Sequence, residues 1–240
     1  MKKNKKSIGM IIVCGGKGKR MGKLSKKIPK AMIKLDQKTI IEHKLEYYKK
    51  QGIDNFIYCI GHKSTILKSF LLKKKKKGIF HNAGINAGIL KRIYSVKNLI
   101  KKDTIISYGD TLAKIKFKKL LQHHKKSKCP ITLVVAPIQN PFGIVKWNNK
   151  KLATSFNEKP ILNHFIGYAV INPKFFNNLT SKIINMSDGQ GMVQAINFLI
   201  EKRRVNIFTF GDLQITVNSP DDLNRAKTQF KKYFTLDDNL

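Results

Sequence analysis

Apolar positions follow two alternating patterns along the first half of the chain. Continuous apolar runs at residues 11–13, 56–60 and 131–136 are typical of strands buried on both faces. Between these runs, apolar residues recur three or four positions apart, as they do on the buried face of a helix. Strands that alternate with helices at this spacing predict a parallel sheet with crossover helices.

Helix boundaries are marked by residues suited to capping. Thr39 precedes an apolar helical pattern, and Glu42 stands three residues later, which is the spacing of a capping box. Gly52 ends this helix. The predicted strands are 11–13, 56–60, 104–107, 131–136, 165–171 and 205–210. Besides the helix that begins at Thr39, helices are predicted over 64–72, 89–100 and 192–200. One further helix is predicted around Leu120 and another from Asp221 onward.

The alternation changes after Pro137. Residues 143–147 and 152–156, joined by a turn at Asn148-Asn149, predict a β-hairpin. No linker or internal repeat divides the chain. The predicted fold class is α/β: one domain over residues 1–240, with a Rossmann-like mostly parallel sheet, crossover helices and an inserted β-hairpin lid. Residues 8–136 and 137–240 form its two halves.

The composition adds a strong positive charge. The 240 residues carry a net charge of +34, nearly all from lysines spread along the whole length. A basic surface attracts phosphate, so a nucleic-acid partner has to be considered. However, no aromatic-studded basic stripe or helix-turn-helix pattern accompanies the lysines, and an AT-rich genome also over-uses lysine. We therefore expect no nucleic-acid partner.

The cysteines and the start of the chain bear on its compartment. Cys14, Cys59 and Cys129 lie in apolar segments without metal-ligand spacing, so we expect them to be buried and reduced. The apolar run after the basic start is too short for a signal peptide, and no later run reaches membrane-spanning length. These patterns predict a cytoplasmic protein without a membrane partner.

The strongest chemical signal follows the first strand. A turn with three glycines at residues 15–18 lets backbone N–H groups approach an anion closely. Arg20 and Lys30 follow within reach, which suits a triphosphate whose charge has to be neutralised. The turn is not a P-loop, because it contains no G-x-x-x-x-G-K-[ST] pattern. It is not a G-x-G-x-x-G motif either, because Met21 stands where the third glycine belongs.

This segment resembles the amino-terminal signature of the sugar-1-phosphate nucleotidyltransferases, G-G-x-G-x-R-[LM] followed by P-K-x-[ML]. Further matches stand in the order that this family uses, so the resemblance covers nearly the whole chain. They are Tyr108-Gly109-Asp110, Phe142-Gly143-Ile144-Val145, Phe156-Asn157-Glu158-Lys159-Pro160 and Gly167-Tyr168-Ala169-Val170. Glucose-1-phosphate cytidylyltransferases are closest in look. Their Lys-Arg pair is present at Lys91-Arg92, but Ile89 replaces the preceding arginine.

The resemblance implies a role for each matching residue. Arg20 and Lys30 would be catalytic, and Asp110, at the carboxyl end of a strand, would hold Mg²⁺. The implied nucleotide-binding residues, in the first half, are Gly15, Gly16, Lys17, Gly18, Ala87, Gly88, Arg92 and Gly109. The implied sugar-phosphate-binding residues, in the second half, are Gly143, Glu158, Lys159 and Gly167.

One position departs from the family pattern. Near the C-terminus a second metal carboxylate is expected in a W-x-D-[IV]-G-T-P or D-x-D-[ST]-P pattern, and this chain places Thr216 or Asn218 there. Both offer a neutral oxygen, which is a weaker magnesium ligand than a carboxylate. Asp212 and Asp221 are the nearby carboxylates that would compensate.

The implied reaction transfers a nucleoside monophosphate from an NTP to a sugar 1-phosphate and releases pyrophosphate. CTP is the favoured donor, with GTP, UTP and dTTP as alternatives. A non-sugar phosphate or phosphonate acceptor stays open because of the C-terminal departure. A different class of function, a catalytically inactive protein that binds nucleotide or RNA, also stays open, as does assembly into a homo-oligomer.

Overall fold

The computed structural model describes residues 9–235, with side chains up to residue 230. The strands in this part of the chain are β1 (Met10–Val13), β2 (Lys34–Leu35), β3 (Lys38–Thr39), β4 (Phe56–Ile60), β5 (Ile79–Asn82), β6 (Thr104–Tyr108), β7 (Thr111–Ala113), β8 (Ile131–Gln139), β9 (Ile144–Trp147), β10 (Ala153–Asn157), β11 (Ile161–Ile171), β12 (Val205–Thr209) and β13 (Gln214–Thr216). The helices are α1 (Lys23–Lys27), α2 (Ile40–Lys50), α3 (Ser64–Lys73), α4 (Ile89–Tyr94), α5 (Phe117–Ser127), α6 (Ser181–Ile184), α7 (Gln190–Glu201) and α8 (Pro220–Thr235).

A seven-stranded sheet forms the centre of the fold, in the order β12-β8-β11-β6-β1-β4-β5. Strand β11 runs antiparallel to both of its neighbours, and the other adjacent pairs are parallel. The predicted α/β fold with a mostly parallel sheet is therefore confirmed. Because β6 of the first half pairs with β11 of the second, one sheet joins the two predicted halves.

Both faces of the sheet are covered, which explains the continuous apolar runs. In β1, Met10 and Ile12 pack in the cluster that includes buried residues of α2, α3 and α5. Ile11 and Val13 point to the opposite face and pack with residues of α4 and α7. Alternate side chains of a strand point to opposite faces, so a strand between two helical layers has to be apolar throughout.

The helix limits follow local hydrogen bonds. The capping box at α2 is present: the Glu42 N–H donates to Thr39 Oγ1 (3.3 Å), and the Thr39 N–H donates to Glu42 Oε2 (2.9 Å). The helix predicted over 89–100 is shorter, because α4 ends at Tyr94 and a 3₁₀ turn follows at Lys97–Leu99. Ser95 Oγ donates to the Arg92 carbonyl (2.8 Å), a local bond that competes with helix continuation.

The predicted hairpin is present as β9 and β10, which form an antiparallel sheet of their own. It is connected to β8 and β11, whose pairing continues as far as Ile161 opposite Gln139. In β11 the register with β8 shifts between Phe165 and Ala169, and Gly167 in this stretch has φ +78°. This irregularity lies beside the candidate site described below.

The cysteines differ in burial. Cys14 and Cys59 are buried, and burial raises the pKa of the Cys59 thiol to about 12. Cys129 is half-buried and precedes β8, so the prediction that it is buried was wrong. In the described residues, no helix has both the length and the apolar character needed to cross a bilayer.

Candidate active site

The glycine turn connects β1 to the segment that carries Arg20. Gly18 adopts φ +63°, and a Cβ atom there would lie 3.0 Å from Lys30 Cγ, so the aliphatic part of Lys30 packs closely on the turn. The Gly109 N–H donates to the Val13 carbonyl (2.9 Å), and a side chain at Gly109 would collide with Cys14. These glycines let the turn and the ends of β1 and β6 approach each other.

Four side chains meet beside this turn, and we call them the charged centre: Arg20, Lys30, Asp110 and Asn218. Lys30 Nζ lies 3.1 Å from Asp110 Oδ2 in an ion pair and also donates to Asn218 Oδ1 (2.9 Å). Arg20 Nη2 donates to the same Asn218 oxygen (2.9 Å). The Lys30 and Asp110 side chains are 16% and 24% exposed, so solvent and an incoming ligand reach them.

Backbone hydrogen bonds hold Asp110 and Asn218, two residues of the charged centre, in place. Asp110 lies between β6 and β7, and its carbonyl accepts from the Val217 N–H (3.0 Å). Asp222 Oδ2 accepts from the backbone N–H groups of Asn218 (3.0 Å) and Ser219 (3.1 Å). Burial alone would raise the pKa of the Asp222 carboxyl, but these bonds and the one from Arg225 hold it below its usual value.

The two candidate positions for a second carboxylate differ in place. Asn218 lies in the charged centre, whereas Thr216 Oγ1 bonds to Thr111 Oγ1 (3.1 Å) on the neighbouring strand β7. Asp212 and Asp221 are exposed and line neither cavity described below. Among the described residues, no group of three or more His, Cys, Asp and Glu side chains could enclose a metal ion.

The charged centre nevertheless offers oxygen ligands of the kind that Mg²⁺ prefers. Asp110 supplies a carboxylate and Asn218 an amide oxygen, both beside open space. Mg²⁺ commonly keeps several waters and is held by one or two carboxylates together with substrate phosphates. The residues present therefore fit a magnesium ion that enters with a polyphosphate rather than one enclosed by the protein alone.

Two cavities adjoin at the charged centre. The smaller one, about 120 Å³, is lined by the glycine turn, Lys30 and Gly109. The larger one, about 640 Å³, is lined by Arg20, Gly167 and Asn218 together with residues of β11, β13 and α8. Both are lined by Ile89, Tyr108 and Asp110. Concave space on both sides of one carboxylate suits two ligands that react with each other.

Tyr108 lines this site, although only its motif neighbours Gly109 and Asp110 were predicted as site residues. Its ring lies edge-on to Phe165 at a centroid distance of 5.7 Å, and Gly167 packs against it. Burial, and then the charge of Asp110, raises the pKa of the Tyr108 phenol. The phenol is therefore neutral near pH 7 and forms a wall shared by both cavities.

Arg92 lies beneath the glycine turn. Its side chain is buried, 2% exposed, and its guanidinium donates to the carbonyls of Ile60 (2.8 Å) and Ile85 (3.4 Å). It lies against both Gly15 and Gly61, where any Cβ atom would collide with it. Burial lowers the pKa of this guanidinium. In this arrangement Arg92 supports the glycine turn, and its predicted contact with a nucleotide stays a prediction.

The loop before α4 is also more enclosed than expected. Gly88 is buried, and a side chain there would collide with the Met186 carbonyl. The first N–H of α4, from Ile89, donates to the Asp188 carbonyl (2.7 Å) and is not free for a ligand. Ala87 is half-buried. The contact between this loop and the glycine turn is made by Lys17, whose Nζ donates to Asn86 Oδ1 (2.7 Å).

The residues predicted to bind the sugar phosphate separate into two places. Gly167 lines the larger cavity. Glu158 and Lys159 form an exposed pair, 3.8 Å apart, next to β10, and Gly143 packs against the Phe156 ring and the Glu158 carboxylate. None of these three lines either cavity, so their predicted contact with a substrate stays a prediction.

A buried lysine supports the charged centre from behind. Lys44, on α2, is 1% exposed, and its Nζ donates to the Thr111 carbonyl and to Tyr168 Oη (2.8 Å). Tyr168 Oη also donates to the Thr111 carbonyl (3.0 Å). These bonds fix the backbone next to Asp110. Sequence reasoning missed Lys44 because its partners lie 67 and 124 residues further along the chain.

Comparisons with known proteins identify the family of the chain. A family model described as "Nucleotidyl transferase" matches residues 9–203. The chain belongs to the nucleotidyl transferase family. The resemblance inferred from the motifs is therefore confirmed, since several curated relatives of this nucleotidyltransferase are named as sugar-1-phosphate nucleotidyltransferases.

Two of these relatives differ in the base that their names specify. One, from Bacillus subtilis (strain 168), is named a probable glucose-1-phosphate cytidylyltransferase and is 27% identical over 195 residues, covering 70% of this chain and 76% of its own. A D-glycero-alpha-D-manno-heptose 1-phosphate guanylyltransferase from Campylobacter jejuni subsp. jejuni serotype O:2 is 29% identical over 218 residues, covering 88% and 95%.

Solved structures support the fold. The crystal structure of HddC from Yersinia pseudotuberculosis complexed with GMP-PN superimposes with a TM-score of 0.72 and 19% identity. The match covers 93% of this nucleotidyltransferase and all of that chain. At this level of identity the likeness establishes a shared fold and leaves the substrates to be argued from the site.

Proposed function

We propose that this nucleotidyltransferase transfers a nucleoside monophosphate from an NTP to the phosphate oxygen of a sugar 1-phosphate. The new bond joins that oxygen to the α-phosphorus, the bond between the α- and β-phosphates breaks, and pyrophosphate leaves. The acceptor phosphate is already a nucleophile at neutral pH, so positioning and charge stabilisation are what the protein has to supply.

The single observation that carries the proposal is the meeting of Arg20, Lys30 and Asp110 at the glycine turn, between two cavities. Gly15, Gly16, Lys17 and Gly18 would hold the triphosphate. Lys30 would stabilise the negative charge that develops on the α-phosphate, and Arg20 would bind the leaving phosphates. Both cations have neutral or acidic partners in the free protein that phosphate oxygens can replace.

Asp110, with the amide oxygen of Asn218 beside it, would hold Mg²⁺. When bound, the ion neutralises phosphate charge and orients the phosphates. Lys30 then has to leave its ion pair with Asp110 (3.1 Å) and turn toward the nucleotide. The same carboxylate thus keeps Lys30 positioned in the free protein and releases it when the nucleotide arrives.

The larger cavity would take the acceptor. Gly167 lines it, and Glu158, Lys159 and Gly143 on the neighbouring hairpin are proposed to complete it. A carboxylate can accept hydrogen bonds from sugar hydroxyls and a lysine can pair with the acceptor phosphate. The exposed position of Glu158 and Lys159 requires the hairpin to move toward the cavity when the acceptor binds.

CTP is the proposed donor, and GTP is the second candidate. CTP was favoured by the Lys91-Arg92 pair, but Arg92 is buried and Lys91 Nζ donates to Asn185 Oδ1. GTP is favoured by a guanylyltransferase relative that this chain covers over 95% of its length. UTP and dTTP complete the panel that has to be assayed.

The direct test measures pyrophosphate release with each NTP against a panel of sugar phosphates, in Mg²⁺ and then in excess EDTA. We expect turnover with one NTP and loss of turnover in EDTA. Lys30→Met and Asp110→Asn should each lower kcat at least about a hundredfold, because each removes a charge that the transition state uses. Lys34→Met, an exposed lysine on β2, is the matched control. Near-normal turnover in both site variants would refute the proposal.

A further inference from the structure

Two polar side chains that line the larger cavity are left without full hydrogen bonding. His164, on β11, and Gln214, on β13, face each other through His164 Nε2 and the Gln214 carboxamide nitrogen. His164 Nδ1 and Gln214 Oε1 are buried and have no partner in the part of the chain that the structure describes. Buried polar groups in native proteins nearly always have a partner, so this pair requires an explanation.

Exchanging the positions of the Gln214 carboxamide oxygen and nitrogen does not give both side chains full hydrogen bonding. With its oxygen toward the ring, the carboxamide accepts from the His164 Nε2–H, but Nδ1 then remains an open acceptor and the carboxamide NH₂ an open donor. In that arrangement, one hydrogen-bond acceptor on His164 and one donor on Gln214 are therefore available to a ligand. Hydroxyl groups can satisfy both, because a hydroxyl can donate one hydrogen bond and accept another. The two open groups point in different directions, so two hydroxyls of one ligand are needed.

We infer that His164 and Gln214 recognise two hydroxyl groups of the acceptor substrate. The inference rests on the proposed function, and it narrows the acceptor to a polyhydroxylated phosphate, as opposed to a phosphonate or a phosphorylated alcohol without free hydroxyls. One hydroxyl donates to His164 Nδ1, and a second accepts from the Gln214 carboxamide. Both protein atoms are buried, so the pair opens by side-chain rotation when the acceptor enters.

The position of the pair agrees with such a role. Thr216 follows Gln214 by two residues on β13 and bonds to Thr111, the residue after Asp110. Gly167 follows His164 by three residues on β11 and lines the same cavity. Hydroxyls held by the pair would therefore belong to a molecule that also borders the charged centre.

The alternative is a structural bridge, since β13 pairs with β7 and the contact would tie it to β11 of the central sheet. Gln214→Leu and His164→Phe separate the two roles. Gln122→Leu, at an exposed position on α5 away from both cavities, is the matched control. Calorimetric titrations would use glucose 1-phosphate, mannose 1-phosphate, their monodeoxy analogues and inorganic phosphate, with Mg²⁺ and a non-hydrolysable analogue of CTP or GTP.

We expect the wild-type protein to bind one sugar 1-phosphate about tenfold more tightly than one of its deoxy analogues, as for a single uncharged hydrogen-bonding site. Both site variants should lose this discrimination, with inorganic phosphate affinity and Tm unchanged, and Gln122→Leu should behave as the wild type. If the site variants keep the discrimination and have a lower Tm, the pair is a structural bridge and the inference is overturned. The inference is also overturned if the wild type binds every deoxy analogue as tightly as the parent sugar 1-phosphate, or binds no sugar 1-phosphate at all. Binding is measured without turnover, so a failed pyrophosphate assay would refute the proposed function separately.

Discussion

Asn218 is one of the two positions, with Thr216, at which the family pattern predicts a second carboxylate, and it is the one that lies in the charged centre. Its side-chain oxygen accepts hydrogen bonds from both Arg20 and Lys30, so a neutral group joins the two cations. A carboxylate at the same position would bind those cations more tightly and would compete with the phosphates for them. The amide thus leaves the cations more available and the metal with fewer charged protein ligands.

Asn218→Asp should therefore strengthen metal binding to the free protein. A second carboxylate near Asp110 contributes about 1 kcal/mol or more of attraction, which corresponds to at least about a fivefold gain in affinity. Mn²⁺ affinity measured by electron paramagnetic resonance without nucleotide reports it, with Asn218→Ala as the control that should bind no more tightly than wild type. Equal affinities in the Asp variant and the wild type would contradict this account of the site.

Arg92 provides a second test at the scale of one residue. Arg92→Met leaves the carbonyls of buried Ile60 and exposed Ile85 without this donor. The lost partner of the buried carbonyl costs about 1–3 kcal/mol, so Tm should fall and the glycine turn should bind NTP more weakly. Thermal melts and NTP titrations decide whether Arg92 supports the glycine turn or contacts the nucleotide directly. Weaker NTP binding with an unchanged Tm would favour the direct contact that the motif suggests.

At the scale of elements, the start of α8 connects helix capping to the charged centre. Ser219 and Asp222 form a reciprocal cap, in which the Asp222 N–H donates to Ser219 Oγ (3.2 Å) and Asp222 accepts from the N–H groups of Asn218 and Ser219. Loss of such a cap costs about 1 kcal/mol. The same bonds orient Asn218, so the cap affects both stability and the site.

Asp222→Asn should lower the Tm at pH 7 and also lower turnover. The folded-state pKa of Asp222 lies below its unfolded value of about 3.8, so its stabilisation is present above that value and is lost as pH falls through the folded pKa. The Tm difference between variant and wild type should therefore shrink in melts below about pH 4. Asp221→Asn, an exposed neighbouring carboxylate, is the control, and a difference that is constant with pH would contradict the assignment.

The elements also show what sequence could predict. The strands, the α2 capping box and the glycine turn depend on residues close together in sequence, and each was predicted from its local pattern. The burial of Arg92 could not be predicted, because its partners lie 32 and 7 residues away, on segments whose approach depends on the sheet. The facing of His164 and Gln214, 50 residues apart, depends on two strands that enter the cavity from different sheets.

At the scale of the whole molecule, the antiparallel strand β11 has the largest effect on the site. It joins β6 of the first half to β8 of the second, and its irregular stretch at Gly167 lies beside Tyr108. The smaller cavity, which we propose for the donor, is thus formed by the loops after β1 and β6. The larger cavity, which we propose for the acceptor, is formed mainly by β11, β13 and α8. The carboxyl ends of parallel strands are where open α/β sheets bind ligands.

The net charge of +34 acts on the whole molecule, and the effect of salt on RNA binding and turnover distinguishes an enzyme from a nucleic-acid-binding protein. Like charges repel in the compact state, so raising NaCl from about 20 to about 200 mM should raise the Tm as screening increases. The same change should remove nonspecific retention of RNA in a filter-binding assay, because such binding depends on displaced counterions. Pyrophosphate release should persist at the higher salt, since the nucleotide is held by a small set of directed contacts at the glycine turn. Salt-resistant RNA binding together with absent turnover would favour the inactive binding protein over the enzyme.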